Sequence, residues 1–265
     1  RTIQVLSRIC AILGAAGVRH WETIIASTDH HVPFHHTGLH KNFLRFIDDV
    51  QPDRFILLGD FLDMYVMGSY HENSLYYLRD ITLDAEYDAG NEVLDAYDEV
   101  LRNAKKDYLY GNHEDRFWRW KKKGDHAKLG ENLVNPTNAL RLVDRGYHVQ
   151  DDWQNAVLEI GEFSLIHGDS VAVNAASTML IKYLRSVIFG HTHRPQKITR
   201  GARTAYSLPC MCDIDSVGMS YMPRMQRDSW RNGFAVLRHN IKTGEVIVQP
   251  VMATDGTFYF GNTRY

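Results

Sequence analysis

Cysteine is scarce in this chain. There are three, Cys10, Cys210 and Cys212, a small odd count that argues against a disulfide framework and for a reducing, cytoplasmic compartment. Cys210-Met211-Cys212 lacks the two-residue spacer of zinc knuckles and redox pairs. It reads as core packing, because free cysteine behaves as a small hydrophobe. Long apolar runs are missing as well, and nothing reaches the roughly 18 residues that a membrane span requires. Residues 9–18 are apolar but short, lie between Arg8 and Arg19, and lead into no clear cleavage pattern of a secretory signal. A dominant charge is also lacking. The formal net charge of -2 implies no global attraction to nucleic acid or membrane, while a local patch remains open. Linkers, repeats and low-complexity tracts are absent.

What the chain does have is histidine, fourteen in 265 residues, with His30, His31, His35, His36 and His40 crowded into one stretch. It also has apolar runs that end in polar ligands. Phe55-Ile56-Leu57-Leu58 shows no polar alternation, which suits a strand buried on both faces. It stops at Gly59, and Asp60 and Asp63 follow. Four other runs end alike: residues 23–27 before Asp29-His30-His31, 108–110 before Gly111-Asn112-His113-Glu114, 163–166 before His167-Gly168-Asp169, and 186–189 before Gly190-His191-Thr192-His193. If these strands share a sheet, their polar ends converge. Asp, Asn and His are oxygen and nitrogen donors for divalent metals. The cluster holds more donors than one tetrahedral ion needs, so two ions are the natural reading.

Residues 39–47 carry apolar side chains at helical spacing and end before Pro52. They join the first two strands in a βαβ unit, whose sheet is therefore parallel there. Residues 92–103 and 114–123 read as helices, 125–136 as a loop, and 137–144 as a short helix capped by Thr137. Residues 156–160 and 163–166 read as a hairpin and 172–184 as a helix. The strands 204–208, 233–238 and 245–249 make a β-rich tail. One α/β domain of two stacked mixed sheets with outer helices fits this order.

Asp29-x-His31, Gly59-Asp60-x-x-Asp63, Gly111-Asn112-His113-Glu114, His167 and Gly190-His191-x-His193 occur in the order of the calcineurin-like metallophosphoesterase signature. The resemblance covers about residues 23–195. It implies a four-layer α/β/β/α sandwich over residues 23–265; residues 1–22 read, on their own composition, as a helical extension that ends a segment continuing upstream. The resemblance also implies that Asp29, His31, Asp60 and His193 hold a first metal, and Asp60, Asn112, His167 and His191 a second, with Asp60 bridging. Manganese is the first expectation, with iron, zinc, nickel or cobalt as alternatives. It further implies that a dimetal-activated hydroxide attacks phosphorus, that His113 protonates the leaving oxygen, and that Asp63 orients His113.

One departure bears on the substrate. Protein phosphatases of this superfamily carry Arg-Gly after the second Asp of the GD motif, where this chain has Met64-Tyr65. A phosphate-clamping arginine is therefore missing there, and Arg116 and Arg194 are the candidates to replace it. Residues 116–123 are basic and aromatic, a composition that clamps phosphates and stacks on bases. Together these clues favour a phosphodiester in DNA or a nucleotide, in the manner of nucleases and phage-type phosphoesterases. The alternatives are a phosphomonoesterase and a non-enzymatic binding scaffold. The latter is disfavoured because no ligand position is lost.

Overall fold

The computed structural model describes residues 20–68, 81–123 and 133–265. Strand β1 (Trp21–Ser27) leads through helix α1 (Thr37–Val50) to β2 (Arg54–Leu58). Helix α2 (Leu83–Val100) precedes β3 (Lys105–Leu109), and helices α3 (Asp115–Lys121) and α4 (Pro136–Ala139) precede β4 (Tyr147–Gln150). These four strands pair in parallel. On the other side of β1 lies β10 (Asn232–Asn240), antiparallel, followed by β11 (Val246–Thr254), β12 (Thr257–Phe260) and β13 (Thr263–Arg264). The order of the sheet is β13-β12-β11-β10-β1-β2-β3-β4.

A second sheet is ordered β5-β6-β7-β9-β8. It is built from β5 (Leu158–Ile160), β6 (Phe163–Ile166), β7 (Ser186–Phe189), β8 (Gln196–Arg200) and β9 (Arg203–Ser207). Helix α5 (Ala175–Tyr183) joins β6 to β7, which are parallel. A short α6 (Arg224–Arg227) precedes β10.

Side-chain alternation shows how the layers stack. Ile24, Ala26, Ile56, Leu58, Leu109, Ala235 and Leu237 of the first sheet share one core with Leu158, Phe163, Leu165, Ile188 and Tyr206 of the second. The intervening residues Ile25, Phe55, Leu57, Tyr108 and Phe234 face outward into a core with α1 and α2. On the far side, Val187, Phe189 and Ala205 pack against Ala176, Met179 and Leu180 of α5. The result is α/β/β/α. Phe55–Leu58 of β2 is apolar without a break because it lies between two cores. In α1, Leu39, Phe43, Phe46 and Ile47 form the buried face, the spacing of an amphipathic helix. Phe43 sits against Phe46, Phe55, Tyr97 and Phe234, so truncating it to Ala costs roughly 3–5 kcal/mol.

The structure differs from the sequence reading in places. The helix expected at 137–144 is only α4, and Asn135, not Thr137, caps it by accepting from Asn138 N. Pro136 at the first helical position was the signal for that register. The strands β4, β8, β12 and β13 carry polar or mixed sequences that hide them. Of the expected 1–22 extension, residues 1–19 lie outside the described residues, and Trp21 already belongs to β1. Most of the expected 125–136 loop also lies outside them. Among the described residues no helix is long and apolar enough to cross a membrane.

Candidate metal centre

The carboxyl ends of β1, β2, β3, β6 and β7 meet at one edge of the sandwich, where open parallel sheets bind ligands. Backbone bonds lock the loops together: Asp29 N donates to Gly59 O at 3.0 Å and His31 N to Asp60 O at 3.0 Å. Asp29, His31, Asp60, His191 and His193 all adopt positive φ, between 50° and 68°. Such residues are uncommon outside glycine and cluster at functional sites. The motif glycines provide close approach: a Cβ at Gly111 would stand 2.1 Å from Asp60 Oδ1, and one at Gly190 would stand 2.5 Å from Asp29 Oδ2.

The expected ligands form two triads. Asp29, His31 and His193 make one, and Asp60, His167 and His191 the other, with ligand atoms within 4.8 Å of one another in each. In the first, His193 Nε2 lies 3.2 Å and His31 Nε2 3.9 Å from Asp29 Oδ1, and the two nitrogens are 3.1 Å apart. In the second, His167 Nε2 lies 3.1 Å from Asp60 Oδ2. Asn112 Oδ1 stands 3.2 Å from His167 Nε2 and 2.7 Å from His191 Nδ1. Asp60 Oδ2 is also 4.0 Å from His31 Nε2, so it faces both triads. The first triad is buried, whereas Asn112 and His191 are half-buried.

Tautomers follow from the partners. His31 Nδ1 meets Asp63 Oδ2 at 2.9 Å and His167 Nδ1 meets Leu58 O at 2.9 Å. Both partners are pure acceptors, so each Nδ1 carries its proton and each Nε2 is turned toward carboxylates. Such outer acceptors orient metal-bound imidazoles. A lone pair aimed at a carboxylate requires a cation between them. Burial pushes the His167 imidazole down, but Asp60, its hydrogen bond and Asp29 push it further up, to about 10. Burial likewise raises Asp29 and Asp60, yet the facing histidines hold both carboxyls well below the usual range. The cluster therefore demands positive charge, which protons meet on the protein alone and which dications fit better. His191, with fewer acids around it, is lowered to about 4 by burial and His167.

The other predicted residues sit nearby with altered partners. The Asp63 carboxylate bonds His31 at 2.9 Å and lies 3.5 Å from His113 Nδ1. It is the Asp63 carbonyl that accepts from His113 Nδ1, at 2.7 Å. Arg116 donates to that same carbonyl at 2.8 Å and to His113 Nε2 at 3.0 Å. Arginine has no acceptor, so His113 Nε2 holds a lone pair and the ring is neutral. Burial and the Arg116 charge lower it to about 4. Arg194 is turned away, donating to Val171 O and Ala172 O, and Asp169 pairs with Lys182. Of the basic run, Phe117 is in the core and Trp118 packs on it, while Arg119 donates to Asn112 O and pairs with Asp115.

Sequence reasoning gave Glu114 no role. Its buried carboxylate accepts from Asp60 N, Leu62 N, Gly111 N and the Tyr108 hydroxyl, all at 2.9–3.0 Å. It ties the β2 loop to the β3 loop. The available signal was a charged residue beside a motif whose other positions were already assigned.

No family model and no curated relative matches the chain. Solved structures are similar to it. Vacuolar protein sorting 29 from Cryptosporidium parvum shares 13% identity over 93% of this chain and 98% of that one, with a TM-score of 0.47. An archaeal phosphodiesterase shares 16% over 87% and 99%, with a TM-score of 0.42. A metallophosphoesterase from Sphaerobacter thermophilus shares 12% over 88% of each, with a TM-score of 0.45. At such identities no residue's role passes from them to this chain.

Proposed function

We propose that this protein is a metal-dependent phosphoesterase that hydrolyses phosphodiester bonds, with a nucleotide or nucleic acid as substrate. The observation that carries this reading is the pair of triads, with Asp60 facing both and with Nε2 atoms aimed inward by Asp63 and Leu58 O. Asp29, His31, Asp60 and His193 would hold one divalent ion, and Asp60, Asn112, His167 and His191 the second, with manganese the first choice. When bound, such a pair acidifies a water and offsets charge on the phosphoryl oxygens.

The chain's own residues account for the rest. The half-buried Asn112 and His191 form the open side, through which a phosphoryl group reaches the ions. Arg116, held by the Asp63 carbonyl and His113, places a fixed cation beside the Asp63 carboxylate, 3.7 Å away. In this arrangement His113 orients Arg116. Proton donation from His113 to a leaving oxygen would need Arg116 to release Nε2. Among the described residues Arg116 and Arg119 are the cationic side chains hydrogen-bonded into this cluster, Arg119 through the Asn112 carbonyl.

The test is hydrolysis of bis-p-nitrophenyl phosphate against p-nitrophenyl phosphate with manganese. Faster diester turnover is expected, falling about a hundredfold in Arg116→Ala. An absence of diester turnover with every divalent metal tried would end the reading. Monoester preference would instead favour a phosphatase.

A further inference from the structure

Two buried thiols lie against the site and have no part in the phosphoesterase reading. The extended segment around Met211 makes isolated bridges from Cys210 to Asn232 and from Cys212 to His35. Alternate residues of an extended segment face the same way, and both sulfurs are turned to His193. That ring has two edges. Its Nε2 faces Asp29 at 3.2 Å, and its Nδ1 faces Cys212 Sγ at 3.9 Å. Ligand atoms of His193, Cys210 and Cys212 all lie within 4.8 Å of one another, and all three residues are buried.

The surroundings fix this arrangement. Asn232 Nδ2 donates to Cys212 O at 2.6 Å and Cys210 O at 3.2 Å, and stands 3.8 Å from Cys210 Sγ. The Cys210 thiol reaches Arg231 O at 3.4 Å. The Trp230 ring closes over His193 edge-on, with centroids 4.1 Å apart. Core packing accounts for the burial of two thiols but not for an imidazole nitrogen turned toward them.

We propose that Cys210, Cys212 and the Nδ1 edge of His193 form a third cation site, for a thiophilic dication such as zinc or cadmium. Sulfur ligands select such ions, whereas carboxylate and carbonyl oxygens suit manganese and magnesium. The two edges of one imidazole thus face environments of different softness. Two thiolates balance a dication, so the buried site carries no unpaired charge. The proposal goes beyond the phosphoesterase reading and requires only the placement of His193.

The test uses the full chain carrying Cys10→Ser, stripped of metal with a chelator and titrated with Cd²⁺. Thiolate-to-cadmium charge-transfer absorption is the readout. The expected result is a band that saturates at one cadmium per chain, persists in Asp60→Asn, and is lost in Cys210→Ser and in Cys212→Ser. No band, or a band that survives both serine substitutions, overturns the proposal. Should the serine variants not fold, alkylation of Cys210 and Cys212 in the unsubstituted pair is followed by mass spectrometry. Cadmium is expected to protect both thiols, and unchanged rates overturn the site. A cadmium band in a chain that turns over no diester with any divalent metal tried would sink the phosphodiesterase reading and leave this one standing.

Discussion

Two groups of histidines lie back to back, and they show what a neighbouring acid does to an imidazole. His31, His167 and His193 each face Asp29, Asp60 or Asp63 within 4 Å, and His167 is pushed up to about 10. Behind them, His30 and His40 pack on Tyr97 instead, and His35 packs on His40. His30 Nε2 meets the Tyr97 hydroxyl at 3.1 Å, and the His40 ring lies 5.1 Å from Tyr97 and 5.4 Å from His35. No carboxylate bonds this second group, and the Nδ1 atoms of all three are buried without a hydrogen-bond partner among the described residues. Burial lowers all three, helped by neighbouring histidines (His36 beside His35), and takes His40 to about 4. The residue type is the same in both groups. Only the group beside acids is equipped to hold a cation.

Removing the acids should break that contrast most sharply. Asp60→Asn takes the carboxylate facing both triads, so metal content by elemental analysis is expected to fall for both ions and diester turnover by at least about a hundredfold. Retention of two manganese ions would refute the sharing of Asp60. Gly111→Ala should follow closely, because its methyl group collides with Asp60 Oδ1; full metal content in that variant would show that the loops yield. Asp63→Asn leaves the ligands in place but takes the acceptor from His31 Nδ1, and chelator competition should read a roughly 10–100-fold loss of affinity.

The acid-free group predicts a pH effect of the opposite kind. The folded value of His40, about 4, lies below its ordinary 6.5, so the folded chain binds fewer protons between those values. Its stabilising contribution is complete above pH 6.5 and is lost as the pH falls toward 4. In His40→Phe the drop in unfolding free energy between pH 7 and pH 5 should be smaller, by roughly 1 kcal/mol after screening of a partly exposed ring; an identical drop in denaturant unfolding would acquit His40. The smallest effect belongs to His36, whose ring caps α1 by accepting from Leu39 N. His36→Ala should cost about 1 kcal/mol or less in denaturant unfolding.

Much of this was legible in the chain. β2 runs over the residues its apolar pattern marked, Arg54–Leu58, and the strand-end Asp, Asn and His residues of five segments do meet at one edge. That convergence was expected of strands sharing one sheet, whereas β1, β2 and β3 lie in the first sheet and β6 and β7 in the second, so it is the stacking of the two sheets that brings the ends together. The orientation of the rings was not legible. His167 is aimed by the Leu58 carbonyl, and a backbone oxygen leaves no mark on residue identity. The sharing of Asp63 between His31, through its carboxylate, and His113, through its carbonyl, was hidden for the same reason. Glu114 was overlooked because its partners are main-chain amides of two different loops.

The left-handed backbone at Asp29, His31, Asp60, His191 and His193 limits how this protein can be hardened against heat. Glycine at any one of them would ease the local conformation by about 1 kcal/mol, and a screen for thermal resilience that ignored turnover would favour it. Each such gain would delete a donor atom from the cluster. Engineers seeking a sturdier variant should therefore leave the rim of the sandwich alone and work on the far ends of its strands.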